Sequence, residues 1–314
     1  MFRFITVTLR DSDKMSFSAD VKSEILSVEI ENECCLHAFA YGMILFSRAF
    51  SSFDISLLTE HSGIAEMYKE MLIKVCKVKP DITKTEAGKY KIEVNNSKDR
   101  LKVLETFGYD KRSSTSRLNW SNIADECCKI AFLKGTFLTC GSINDPNKGY
   151  HLEFVVPYLN LSRDLKLFID DYDELSVTPK TVTRSSNYVI YFKDSEAIED
   201  LLTVMGAFNS SLELMGVKMY KDMRNNVNRK LNFESANLDK TIDAAAKQVE
   251  AILHIKNTVG FSYLSNELRE VAELRLENPD MSLRELGDNL SEPISRSGIN
   301  HRLKKLCTIA SQIK

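Results

Sequence analysis

No stretch of this sequence approaches the roughly 18 consecutive apolar residues that a bilayer-spanning helix needs, so no transmembrane segment is expected. A secretory signal is absent too. Phe2–Leu9 alternates instead of forming a solid apolar block, and Asp11-Ser12-Asp13-Lys14 offers no small-residue cleavage site. Charge of one sign is not in excess. Lys and Arg total 42 against 44 Asp and Glu, a net charge of −2, which excludes a general polycation and confines any nucleic-acid contact to a local patch. The seven cysteines are an odd number and lack the short spacing of zinc ligands. With nothing pointing to secretion, reduced cytosolic thiols acting as small buried hydrophobes are the expectation.

What is present is ordinary in bulk and unusual in pattern. Apolar residues make up 43% and charged residues 27%, as in a folded globular protein, and 314 residues suggest about two domains. The pattern is a segment that occurs twice, 93 residues apart. Cys34-Cys35 precedes the apolar run Ala38-Phe39-Ala40-Tyr41-Gly42-Met43-Ile44-Leu45-Phe46. Cys127-Cys128 precedes Ala131-Phe132-Leu133-Lys134-Gly135-Thr136-Phe137-Leu138. Each Gly stands seven residues after the second Cys of its pair. The repeat implies two similar half-domains about a pseudo-twofold axis. If the cysteine pairs meet across that axis, they have a second reading as metal ligands or as an oxidisable group.

Periodicity predicts helices over 20–30, 34–49, 64–78 and 98–107, a strand over 53–59 and a strand pair over 81–85 and 90–94. Val21, Ile25, Leu26 and Ile30 are the expected core positions of the first helix. Residues 109–120, polar and Ser-rich with Lys111, Arg112 and Arg117, read as a connector. The order then recurs: helices over 125–140, 162–172 and 195–206, with strands over 150–156, 176–183 and 188–192. This is an α+β pattern, antiparallel strands backed by helices. From Asp222 onward the pattern is purely helical, with helices expected over 239–255, 265–276, 282–290 and 297–313.

The C-terminal helices carry the clearest local signals. Ser282-Leu283-Arg284-Glu285 is a capping box, Leu283, Leu286 and Leu290 form a stripe, and Ser291-Glu292-Pro293 makes a turn. In the final helix Ile299, Leu303 and Leu306 face the core. Between Arg296 and Lys305 there are four positive charges and no acid. In a helix-turn-helix, Ser295, Arg296, Ser297 and Asn300 are placed to reach base edges. Arg302, Lys304 and Lys305 would sit over phosphates, with His301 a polar surface residue beside them. The competing reading is a solvated amphipathic helix on an interaction domain. Arg224 and Arg229, in the linker 221–230, serve either as a second phosphate contact or as a docking segment.

The two apolar runs resemble the paired central helices of LAGLIDADG homing endonucleases, where small residues let the helices pack closely. In such nucleases a carboxylate near each helix end holds a divalent metal. Here the corresponding positions are Ser47 and Cys140, neither acidic. Hard-cation phosphodiester cleavage needs anionic oxygen ligands, so catalysis is not expected. The chain from Met15 onward resembles the WhiA family of bacterial DNA-binding regulators, most specifically in Asp222-Met223-Arg224-Asn225-Asn226-Val227-Asn228-Arg229, Ala236-Asn237-Leu238-Asp239-Lys240-Thr241 and Ser297–Leu306. The resemblance implies a pseudo-twofold duplicated LAGLIDADG-like domain followed by an all-α helix-turn-helix domain.

The expected layout is a disordered extension over 1–14, the degenerate domain over 15–220 with halves at about 15–108 and 121–208, a linker and connecting helix over 221–260, and the helix-turn-helix over 261–314. The implied function is sequence-specific transcriptional regulation in cell division, chromosome segregation and sporulation. Double-stranded DNA is the implied partner, with other regulatory or division proteins at the N-terminal domain. The expected location is the cytoplasm, on the nucleoid, without membrane, cofactor or assigned metal. The rival functions are a scaffold of the division machinery and a residual metal-dependent endonuclease.

Overall fold

The computed structural model describes residues 16–110, 117–172 and 178–313. The expected extension 1–14, Lys111 and Arg112 of the connector, and the first two residues of the strand expected over 176–183 lie outside these. The chain divides into two compact units, Met1–Lys221 and Asp222–Lys314.

The first unit runs α1 (Phe17–Ser27), α2 (Glu33–Leu45), β1 (Ala49–Phe50), β2 (Ile55–Thr59), α3 (Ser62–Lys74), β3 (Asp81–Lys84), β4 (Tyr90–Glu93) and α4 (Ser97–Thr106). It repeats, after a short 3-10 turn at Trp120–Ile123, as α5 (Glu126–Cys140), β5 (Gly141–Ile143), β6 (Leu152–Val156), α6 (Leu159–Asp170), β7 (Lys180–Arg184), β8 (Asn187–Phe192) and α7 (Ser195–Val204). The sheets have the same order, β1-β2-β4-β3 and β5-β6-β8-β7, with every pairing antiparallel. The fold is thus α+β with a duplicated half. Leu57 faces Ile92 in one sheet as Phe154 faces Ile190 in the other, and all four are buried.

Local chemistry explains where the elements depart from the expected bounds. α1 begins three residues early because the Ser16 hydroxyl accepts the Ala19 N–H at 3.3 Å. Val21 and Ile25 are buried, whereas Leu26 is half-buried and Ile30 lies beyond the helix. α2 stops at Leu45 because the Ser47 hydroxyl donates to the Ile44 carbonyl at 2.7 Å, which competes with helix continuation. That releases Ala49 and Phe50 to pair with β2. β1 and β5 were not expected, since two or three residues are too few to show a period.

The axis of the unit is α2 against α5. Residues 38–45 of α2 are all buried, so the helix is apolar all round instead of amphipathic. The two glycines of the repeat set the approach. A Cβ on Gly42 would lie 2.4 Å from the Phe132 carbonyl oxygen, and one on Gly135 would lie 2.2 Å from that of Phe39. Each helix therefore lays its backbone on the other, which only glycine permits. Aromatic rings close over the pair, with Tyr41 and Phe132 centroids 5.7 Å apart. Arg117, at the end of the connector, pairs with the buried Asp164 carboxylate at 2.8 Å, and the Leu118 N–H donates to the same oxygen at 2.9 Å.

The helix α8 (Phe208–Thr258) is 51 residues long. The segment 221–230, expected as a linker, is helical, and the helix expected over 239–255 is only part of α8. The reason is what the segment lacks: from Val217 to Val259 there is neither Gly nor Pro to break the ladder. Gly260, at φ 75°, ends it, with its N–H returned to the Ile255 carbonyl. The second unit continues with α9 (Asn266–Glu277), α10 (Leu283–Asp288) and α11 (Arg296–Gln312). Its core gathers Ile252, Ile255, Val271, Leu286, Ile299 and Leu303.

Candidate nucleic-acid interface

The second unit presents a helix-turn-helix built from α10 and α11. The capping box predicted at Ser282 is formed. The Ser282 hydroxyl accepts the Glu285 N–H at 3.3 Å, and the Glu285 carboxylate accepts the Ser282 N–H at 2.9 Å. These hydrogen bonds from Ser282 hold the Glu285 carboxyl below the usual carboxylate range. Gly287 sets the turn. Its carbonyl accepts the Ile294 N–H at 3.1 Å, and a Cβ there would lie 2.4 Å from the Ile294 carbonyl oxygen. α10 and the segment entering α11 therefore touch backbone to backbone.

Arg275 also shapes this unit, and sequence reasoning missed it. It is 2% exposed and donates to the Pro279 carbonyl at 3.0 Å and the Met281 carbonyl at 2.7 Å. It thereby ties down the loop between α9 and α10. A buried, backbone-bonded arginine has the same sequence signature as a solvated one, so nothing nearby in the chain signals it.

The core side of α11 is Ile299, Leu303, Leu306 and Ala310. Arg296, Ser297, His301, Lys304 and Lys305 are exposed, and Asn300 is half-buried. At 3.6 residues per turn Arg296, Asn300 and Lys304 follow one another along one stripe, with Ser297, His301 and Lys305 beside it. The structure thus brings together six of the eight residues expected on this helix and its lead-in.

The other two are used differently. Ser295 is the N-cap of α11. Its hydroxyl accepts the Gly298 N–H at 3.3 Å and lies 2.9 Å from the Ser297 hydroxyl. Arg302 does not stand on the outer face. It is 22% exposed at the side chain and reaches Glu267 of α9 at 3.4 Å. Position 302 is one turn from both Ile299 and Leu306, so it flanks the core side and points toward its neighbour. Arg224 and Arg229 are both exposed on α8. Five residues apart on a helix, they point roughly 140° away from each other and do not form one patch.

The first unit offers no oxygen-anion pair at Ser47 and Cys140, the two positions that the resemblance to the nucleases led us to expect as former metal-ligand positions. Ser47 is buried. Its hydroxyl donates to Ile44 and accepts from the Tyr68 hydroxyl at 3.3 Å. Burial pushes the Cys140 thiol up to about 12, so it is protonated at neutral pH. The charge acting on it is the Lys22 ammonium, itself pulled down by burial. A hydroxyl spent on the backbone, a protonated thiol and a nearby cation are a poor environment for Mg²⁺.

Residues 129–224 match the model of the WhiA LAGLIDADG-like domain, and residues 227–310 match that of the WhiA C-terminal HTH domain. The chain is 36% identical over 314 residues to a probable cell division protein WhiA of Alkaliphilus metalliredigens, covering 95% of this chain and 98% of that protein. It is 37% identical over 317 residues to the protein of the same name from Clostridium botulinum, with 96% and 99% covered. Among solved structures it resembles full-length DUF199/WhiA from Thermatoga maritima, with a TM-score of 0.58 at 22% identity over 96% of this chain and 99% of that one. At that identity the likeness shows the fold. Among the described residues no helix is long and apolar enough to cross a membrane.

Proposed function

This chain belongs to the WhiA family, and from that premise we propose that it is a non-catalytic, sequence-specific DNA-binding regulator of transcription. The observation that carries this is the outer face of α11: Arg296, Asn300, Lys304 and Lys305 on a capped helix, with no acid in that span. Asn300 and Arg296 lie at its N-terminal end, where a second helix enters the major groove, and their side chains suit bidentate contact with adenine and guanine edges. Lys304 and Lys305 lie further along and serve phosphates. Ser297 and His301 flank them as polar contacts. Ser295 holds the helix start, and Arg302 holds α11 to α9. Arg224 and Arg229 supply at most separate phosphate contacts, given their divergent directions.

The relatives named as cell division proteins support a role in division. Chromosome segregation and sporulation follow as the finer reading from family membership, as do a cytoplasmic, nucleoid-associated location and protein partners at the first unit. The positions of Ser47 and Cys140 favour a scaffold that no longer cleaves.

The test is selection of sites by the full chain from a genomic DNA pool, for the native protein and for Asn300→Ala and Arg296→Ala. Each substitution should cost about 1–3 kcal/mol at its preferred base and relax selection there. Unchanged site selection by both variants would remove α11 from the recognition surface. Mg²⁺-dependent nicking of plasmid would revive the endonuclease reading.

A further inference from the structure

The pseudo-twofold brings together four thiols that lie far apart in the chain. Cys34 and Cys35 occupy the first turn of α2, and Cys127 and Cys128 occupy the first turn of α5. Their sulfurs all lie within 4.8 Å of one another. Cys34 Sγ is 4.0 Å from Cys35 Sγ and 4.0 Å from Cys127 Sγ. Among the described residues this is the one group of three or more His, Cys, Asp or Glu side chains so placed. None of the four is in a disulfide.

We propose that Cys34, Cys35, Cys127 and Cys128 form one tetrahedral tetrathiolate site for a zinc ion, pinning the N-terminal ends of α2 and α5 together. The geometry favours a single ion. Tetrahedral sulfurs about 2.3 Å from zinc stand about 3.8 Å from each other; two pairs here stand at 4.0 Å and all lie within 4.8 Å, so a contraction of at most about 1 Å closes the site. An iron–sulfur cluster spreads its four cysteines over two or more irons, so cysteines on different irons stand further apart than those sharing a single ion. The ligand type is soft, which selects zinc over magnesium or calcium.

The surroundings fit the charge of bound thiolates. Both helices point their N-termini, with the positive end of the dipole, at the sulfurs. The Lys134 ammonium acts on Cys35 from the next turns of α5. Cys34 and Cys127 are exposed and give the ion an entry path, while Cys35 and Cys128 are buried. The four cysteines are free thiols, and binding displaces their protons: Zn²⁺ and four thiols give the tetrathiolate of net charge −2 and four H⁺. The site lies at the ends of the helices whose glycines touch, so the ion locks the same contact.

The experiment uses the full chain, purified under reducing conditions and loaded with zinc. One ion per chain is expected. Co²⁺ in its place should give the thiolate-to-metal charge-transfer absorption of a tetrahedral sulfur site. The double variant Cys34→Ser/Cys127→Ser changes only exposed positions and should lose both signals, while Cys307→Ser, in the second unit, should keep them. Zinc should also slow alkylation of Cys34 and Cys127 in the native chain and leave Cys307 unaffected, a measurement that needs no variant to fold. The proposal is overturned if the reduced native chain retains no ion in excess zinc, if the double variant retains as much, if alkylation is unchanged, or if the anaerobically purified chain carries an iron–sulfur chromophore.

Discussion

Substituting alanine at two glycines of the first unit should move stability in opposite directions. At Gly135 the added Cβ would lie 2.2 Å from the Phe39 carbonyl oxygen, 3.0 Å from the Met43 nitrogen and 3.1 Å from the Phe39 carbonyl carbon. All three are backbone atoms, so no side-chain rotation relieves the clash. α5 must withdraw from α2 by roughly 1 Å, which loosens the dispersion contacts of the buried rings around it. Overpacking costs about 1–3 kcal/mol and more when relief is blocked. Alanine returns about 1 kcal/mol of helix propensity. With the clash wholly between backbones the overpacking lies above that range, at about 3–5 kcal/mol, so a net loss of about 2–4 kcal/mol follows, or a fall of roughly 4–16 °C in Tm for a unit of this size. At Gly216, in α8, nothing lies within 4 Å of the added Cβ. There only the propensity gain remains, about 0.5–1 kcal/mol of stabilisation. The chain's one tryptophan, Trp120, lies in the first unit, so its fluorescence during urea and thermal unfolding reports that unit. If Gly135→Ala unfolds together with Gly216→Ala, the backbone contact between the two helices does not exist and the account of the axis fails.

The remaining predictions concern the second unit. Lys304→Ala and Lys305→Ala should each reduce the slope of log K against log salt by about 0.9, which at 0.15 M salt weakens DNA binding about five-fold per lysine. Arg302→Ala, whose partner is Glu267, should leave that slope unchanged, and an equal flattening would place Arg302 on phosphate after all. The lowered Glu285 carboxyl contributes stability that is present above its unfolded value and lost as pH falls through its folded value, from about pH 5 downward. Glu285→Gln should therefore flatten the acid limb of the helical circular-dichroism signal. An acid limb identical to that of the native chain would mean that the capping carboxylate does not matter.

Much was legible because it is local. The duplicated helix–strand order, the capping box at Ser282 and Glu285, and the core side of α11 all depend on residues within about four positions of one another, and sequence spacing reports such contacts directly. Tertiary structure alone decided the rest. Ser295 became a cap and Arg302 a strut to α9 because of where α11 starts and which neighbour flanks it. Residues 221–230 are the exception: 222–230 are exposed, and the stretch is helix because propagation continues where neither Gly nor Pro breaks it, a signal already in the sequence although the composition reads as a linker. The roles of Gly42 and Gly135, and the meeting of Cys34-Cys35 with Cys127-Cys128, join positions 93 residues apart. A repeat can suggest such a meeting, but only closure of the two halves about their axis sets the distance between backbones or between sulfurs.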